Sequence, residues 1–184
     1  MNKTIWTPTL AWIAAVTGAM LLAAAAPSES NVMGRLPSPT ARQLEQQHVA
    51  RSPGFSGGRS LALVGFSSSH RSEIRSWIDG LRLEQGSPIP WVKMPVLNDP
   101  GNESERSAIA NRLRDGHSLS GYRSRLMPVF ANRAEFVRAA GLSGSEHASV
   151  LVLTRDGRVL ARAEGQFDPA KAEALRETVL AQGD

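Results

Sequence analysis

A chain of 184 residues suffices for one hydrophobic core, and its lack of cysteine excludes disulfides, thiolate catalysis, CxxC redox cycling and cysteine metal sites. The 21 Lys and Arg against 17 Asp and Glu give a formal charge of +4, a balance that suits solubility or attraction to an anionic membrane surface. Basic residues are scattered and aromatics make up only 5%, so no nucleic-acid partner is expected and the core must be mostly aliphatic.

After the short basic start Met1-Asn2-Lys3, Leu10 to Ala26 runs without a charge, and Ala23-Ala24-Ala25 supplies small residues of the A-x-A type. Residues 1–26 therefore read as a cleaved signal peptide or an uncleaved membrane anchor. Either places the protein in the periplasm or on the inner membrane facing it, with membrane association in the second case. A lipoprotein attachment is closed by the absence of cysteine. From Pro27 to Gly58 the composition turns to Pro, Ser, Gly, Gln and Arg, which predicts a linker acting as a tether, or an arm lying across a domain that begins at Arg59 and runs to 184.

Leu61 to Phe66 is an apolar run that predicts a strand, and Ser67-Ser68-Ser69-His70 a tight turn into a helix. In that helix Ile74, Trp77, Ile78 and Leu81 fall at i, i+3, i+4 and i+7 on one face, and Gly80 weakens or ends its last turn. Ile89 to Leu97 predicts a second strand whose Pro95 implies an edge, a bulge or an early end. Asn102 with Glu105 forms a capping pattern for a helix with a thin seam of Ile109 and Leu113, ended by Gly116. Leu126 to Ala131 predicts a third strand interrupted by Pro128, and Asn132 with Glu135 caps a short helix carrying Phe136, Val137 and Ala140. Ala148 to Ala163 is two β-rich runs about Asp156-Gly157, a hairpin signal. Asp168-Pro169 then starts a last helix presenting Ala172, Leu175 and Val179.

The order β, α, β, α, β, α, hairpin, α predicts an α/β fold: a central mixed β-sheet flanked by helices. The ending, strand, D-G turn, strand, G-x-F-D-P and helix, is similar to the close of a thioredoxin-like domain. Residues 59–181 resemble the thioredoxin superfamily. Within it, LVGFS (63–67), SWIDGL (76–81), MPV (94–96), YRSRLMPVFANRAEFVRAAGL (122–142) and VLVLTRDGRVLARAEGQFD (150–168) resemble the cysteine-free mitochondrial ATP synthase assembly factor family and its bacterial relatives. That resemblance implies a thioredoxin-like fold and a chaperone-like role in assembling the membrane sector of ATP synthase.

The redox branch of the superfamily places cysteines in the turn that here runs from Ser67 to Ile74, and a cis-proline just before the hairpin, where this chain reads Glu146-His147-Ala148-Ser149. With both features missing, this end of the sheet becomes a candidate interaction site formed by Ser67, Ser68, Ser69, His70 and Arg71 with His147 and Ala148. No catalytic residue, metal or cofactor is assigned. Ser69-His70 is open to reading as a nucleophile and base, or as helix capping by serine. His70 and His147 lie on loops that such a fold brings together, which keeps a periplasmic copper- or haem-binding protein as the alternative. His48 and His117 pair with neither at ligand spacing. Gly54 to Gly58 lacks a Walker lysine, and Arg112, Arg114, Arg123 and Arg125 form either a basic patch or a solvated face. The expected protein is non-catalytic and works by contact with a protein partner, such as a subunit of a membrane complex.

Overall fold

Residues 33–43, 58–84, 87–116 and 124–181 are described by a computed structural model of the chain. The run predicted as the first strand is the central one, Arg59–Gly65, in which six consecutive residues are buried. Burial on both faces explains its continuous apolar sequence. It is the second of six strands: β1 (Gly34–Arg35), β2 (Arg59–Gly65), β3 (Trp91–Leu97), β4 (Val129–Phe130), β5 (Ser149–Thr154) and β6 (Arg158–Glu164). Helices that flank the sheet are α1 (Arg71–Gly80), α2 (Glu103–Asp115), α3 (Arg133–Ala139) and α4 (Pro169–Leu180), and residues 38–43 are helical as well.

The strands line up as β1-β6-β5-β2-β3-β4. The β2-α1-β3 unit is parallel, with Leu61 opposite Trp91 and Gly65 opposite Pro95. The β5–β6 hairpin is antiparallel and joins the unit through β5 against β2. A parallel βαβ unit followed by an antiparallel ββα unit, in strand order β3-β2-β5-β6, is a thioredoxin-like sheet.

Alternation along the strands divides the core in two. On one face Ala62, Val64, Met94, Val96, Leu151 and Leu153 pack with Phe136 of α3 and with Leu36. On the other Leu61, Leu63, Val150 and Val152 pack under Ile74, Trp77 and Ile78 of α1 and Ala172, Leu175 and Val179 of α4. Among the described residues both indole N–H groups are satisfied inside the fold: Trp77 donates to the Gly165 carbonyl at 2.8 Å and Trp91 to the Leu83 carbonyl at 2.6 Å.

Three details differ from the sequence reading. The domain starts before Arg59, because β1 pairs antiparallel with β6 and Leu36 is 2% exposed in the core. Met33 and Leu36 donate their N–H groups to the Val159 and Gly157 carbonyls, both at 2.8 Å. Residues 33–43 are thus the arm across the domain rather than a tether; the rest of the predicted linker, and the predicted signal or anchor segment, lie outside the described residues. Glycine permits the close approach at Gly34, where a Cβ would sit 2.6 Å from the Ala139 oxygen and the Ala140 carbonyl carbon. Second, β3 is flanked on both sides, and its proline acts on one of them. Pro95 lacks an N–H on the side where Lys93 and Leu97 accept from Met127 and Ala131, so contact with the 126–130 segment is split into a Lys93–Leu126 bridge and the two-residue β4. Third, Gly80 is a packing glycine as well as the last residue of α1, since any Cβ there would collide with the Phe167 ring.

Candidate functional site

The turn between β2 and α1 is built on its serines. Ser67 adopts an extended conformation and its hydroxyl accepts from the Ser69 N–H at 3.2 Å, capping the 3-10 turn Ser68–His70. The Ser67 and Ser69 hydroxyls share a hydrogen bond of 2.9 Å. His70 is buried, and its Nδ1 accepts from the Phe66 N–H at 3.3 Å, which leaves the proton on Nε2. The Phe66 ring meets it edge-on, with centroids 6.3 Å apart. Ser69 and His70, although adjacent, therefore have separate partners, and the nucleophile–base reading has no hydrogen bond to stand on.

Across the sheet end, the loop before β5 is tied to α1 by a residue the sequence reading passed over. Glu73, in the first turn of α1, accepts from the Ala148 N–H at 2.5 Å and bonds His147 Nδ1 at 2.9 Å. The reason is local. A loop that holds proline in the redox branch presents at Ala148 an N–H in a buried position, and such a donor needs an acceptor. Glu73 supplies it from a side chain only 14% exposed, whereas His147 stays 64% exposed. Burial raises the Glu73 carboxyl, but the Ala148 N–H and the His147 imidazole outweigh it and hold the group below its ordinary value of 4.5. The same hydrogen bond and charge hold His147 above its ordinary 6.5.

Of the seven predicted site residues, Ser67, Ser68, Ser69, Arg71 and His147 are exposed on this end of the sheet. His70 and Ala148 are buried, so neither offers side-chain surface to a partner. His70 and His147 differ in setting: His70 is buried with its Nδ1 on the Phe66 N–H, and His147 is exposed with its Nδ1 on Glu73. Among the described residues no group of three His, Asp or Glu side chains is placed to hold a metal ion. His48 and His117 lie outside the described residues. The arginine group separates: Arg112 and Arg114 end α2, Arg125 lies 4.9 Å from the centroid of the Trp91 ring, and Arg123 is outside the described residues. A glutamate early in a helix signals only a favourable interaction with the helix dipole. The reach of Glu73 to a loop 75 residues away becomes visible once β5 is placed beside β2.

Beside this turn lies a cleft of about 550 Å³ between α1, β3 and the last turn of α2. Ile74, Ile78, Val96 and Leu126 form its wall, and Arg71, Arg75 and Lys93 bring positive charge to it. The cleft exists because α2 contributes no fully buried residue, its Ile109 and Leu113 being only half-buried. At its base Gly65 lets α1 come close, since a Cβ there would sit 2.9 Å from Ile74 Cδ1.

No protein-family model matches the chain, and no curated protein matches it. Solved structures that are similar include an exposed lipoprotein thioredoxin of Streptococcus pneumoniae strain TIGR4, at 12% identity and a TM-score of 0.41 over 68% of this chain and 85% of that one. A thiol:disulfide interchange protein of the thioredoxin family from Chlorobium tepidum TLS is similar at 16% identity and a TM-score of 0.38, over 71% and 85%. A member of the Sco family of cytochrome c oxidase assembly proteins is similar at 14% identity and a TM-score of 0.41, over 66% and 78%. The strand order, rather than these distant likenesses, establishes the thioredoxin-like fold.

Proposed function

We propose that this protein is a non-catalytic, exported thioredoxin-like module that works by protein contact in the assembly of a membrane complex, with the membrane sector of ATP synthase as the named candidate. The observation that carries the reading is the replacement at the sheet end. Where a redox enzyme needs a thiol pair, this chain has a serine cap and a half-buried carboxylate on α1 that holds the loop before β5. Fixed hydrogen bonds of this kind favour a rigid surface, and a rigid surface suits recognition. Ser68, Arg71 and His147 are among its exposed side chains, beside the exposed Glu146. The uncharged run from Leu10 to Ala26 supports delivery to the periplasm, cleaved or held at the inner membrane. Among the described residues no helix is long and apolar enough to cross a membrane.

Deletion of the gene, followed by native gel separation of solubilised membranes, tests the role. Loss of assembled ATP synthase membrane sector, restored by the wild-type chain and not by an Arg71→Glu variant, is the expected result. Normal assembly of that sector and of the other membrane complexes in the deletion strain sinks the proposal.

A further inference from the structure

Trp91, the first residue of β3, joins two arginines at the end of the sheet opposite the serine turn. Arg125 lies 4.9 Å from the centroid of its ring, and its indole donates to the carbonyl of Leu83, the residue after Arg82. We propose that Arg82 and Arg125 are a docking point for an acidic segment of a protein partner, each guanidinium taking one carboxylate. The site stands whether or not the contact reading of the serine turn holds.

Arg125 is half-buried, and burial pushes its guanidinium below the ordinary arginine value. A guanidinium held over an indole keeps its N–H donors for a second partner, and among the described residues none receives them. The sequence around both members of the stack, 85–98 and 117–130, contains no Asp or Glu. A partly desolvated cation without a counter-ion is costly, and an incoming carboxylate removes that cost. The backbone at Arg82 is strained independently of this. With φ at 53°, Arg82 is the one residue other than glycine in the left-handed region among the described residues. It closes α1 in a Schellman turn: the Leu83 N–H donates to the Ile78 carbonyl at 2.9 Å and the Arg82 N–H to that of Asp79 at 3.1 Å. Glycine fills such a position without strain, yet the chain holds an exposed arginine there. Attraction to the helix dipole offsets part of the strain, and a partner for the side chain accounts for the rest. Asp79 and Glu84, the acids flanking Arg82 in sequence, are both held by Arg75, at 3.0 and 3.1 Å. Phosphates favour helix N-termini, whereas this is the C-terminal end of α1, so singly charged carboxylates fit better.

Fluorescence anisotropy of labelled hexaglutamate and hexaglutamine with the full chain tests it, with unlabelled hexaglutamate and inorganic tripolyphosphate as competitors. Hexaglutamate is expected to bind and hexaglutamine not. Arg125→Gln should weaken binding about tenfold, and Arg125→Lys nearly as much, because lysine keeps the charge but not the planar fork. Arg82→Gly should weaken it about threefold while raising Tm by about 4 °C, a gain that follows from relief of the left-handed strain. Arg138→Gln, the same loss of charge on α3 across the sheet, should change affinity less than about twofold. Arg82 is exposed, so its variant keeps the test decisive even if the Arg125 variants do not fold. No binding of hexaglutamate, an unchanged affinity in Arg82→Gly or Arg125→Gln, or an equal loss in Arg138→Gln overturns the proposal. Displacement by tripolyphosphate at lower concentration than by hexaglutamate overturns it as well, since the site then belongs to phosphates.

Discussion

Glu73→Ala is the sharpest test of how the sheet end is held. The substitution removes the acceptor of the Ala148 N–H and the partner of His147 in one step. A backbone donor left unsatisfied in a buried position costs about 1–3 kcal/mol, so the variant should lose about 2 kcal/mol. At about 4 °C per kcal/mol for a domain of this size, its Tm falls by about 8 °C. Glu73→Gln keeps an oxygen acceptor without the charge and should lose about half as much. The two groups also set a pH window. Glu73 is held below 4.5, so its contribution is present above 4.5 and is lost as pH falls through the lowered folded value. His147 is held above 6.5, so its contribution is present below 6.5 and is lost as pH rises through the raised folded value. The stability gap between wild type and Glu73→Ala is therefore widest between pH 4.5 and 6.5 and narrows on either side. Urea denaturation at a series of pH values measures it, with His147→Gln as the control that removes only the alkaline limb. A Glu73→Ala variant as stable as wild type at pH 5.5, or a gap that does not vary with pH, refutes the clamp.

Other consequences follow from the packing. Ala148→Pro removes the same N–H and should destabilise like Glu73→Ala, with the double variant far from additive in a two-by-two unfolding comparison. Leu36→Ala should cost about 3 kcal/mol, and a chain beginning at Arg59 should unfold at markedly lower urea, because Leu36 and β1 complete one face of the core. Gly34→Ala should destabilise by about 2 kcal/mol or more in thermal unfolding, since the new Cβ meets backbone atoms of Ala139 and Ala140 that have no room to yield. Trp77→Phe strands the Gly165 carbonyl and loosens the edge contact with Phe167, centroids 5.3 Å apart, a loss of about 1–2 kcal/mol by the same assay.

Where the physics is local, the residues announce the structure. Asp156-Gly157 makes its turn with Gly157 at φ 79°, and Asn102, Asn132 and Asp168 cap their helices by accepting from the N–H three residues on. Ile74, Trp77 and Ile78 bury as their spacing predicts. Where the physics depends on what the fold brings together, they do not. Residues 33–43 look like linker because Pro37, Pro39 and polar residues surround one buried leucine, and an edge strand of two residues leaves no alternation to see. The third strand is shorter than its sequence pattern because periodicity does not count the hydrogen bond that Pro95 withholds from it. At the site, capping by serine holds for Ser67 on the 3-10 turn but not for α1, whose N-cap is His70 without a side-chain hydrogen bond, and the candidate site residue His70 is buried. Its burial comes from the Phe66 N–H and ring, which no linear pattern encodes.

The central claim is that the exposed face of the redox-dead sheet end is a contact surface for a membrane-complex subunit. Site-specific photo-crosslinking in intact cells tests it most directly, with the probe at Ser68 or His147 and, as control, at Arg158, on the far side of the sheet where β6 begins. The account predicts that the first two positions, and not the third, join the protein to a subunit of the ATP synthase membrane sector or of one other membrane complex. Equal labelling from all three positions, or adducts to soluble proteins alone, would contradict it.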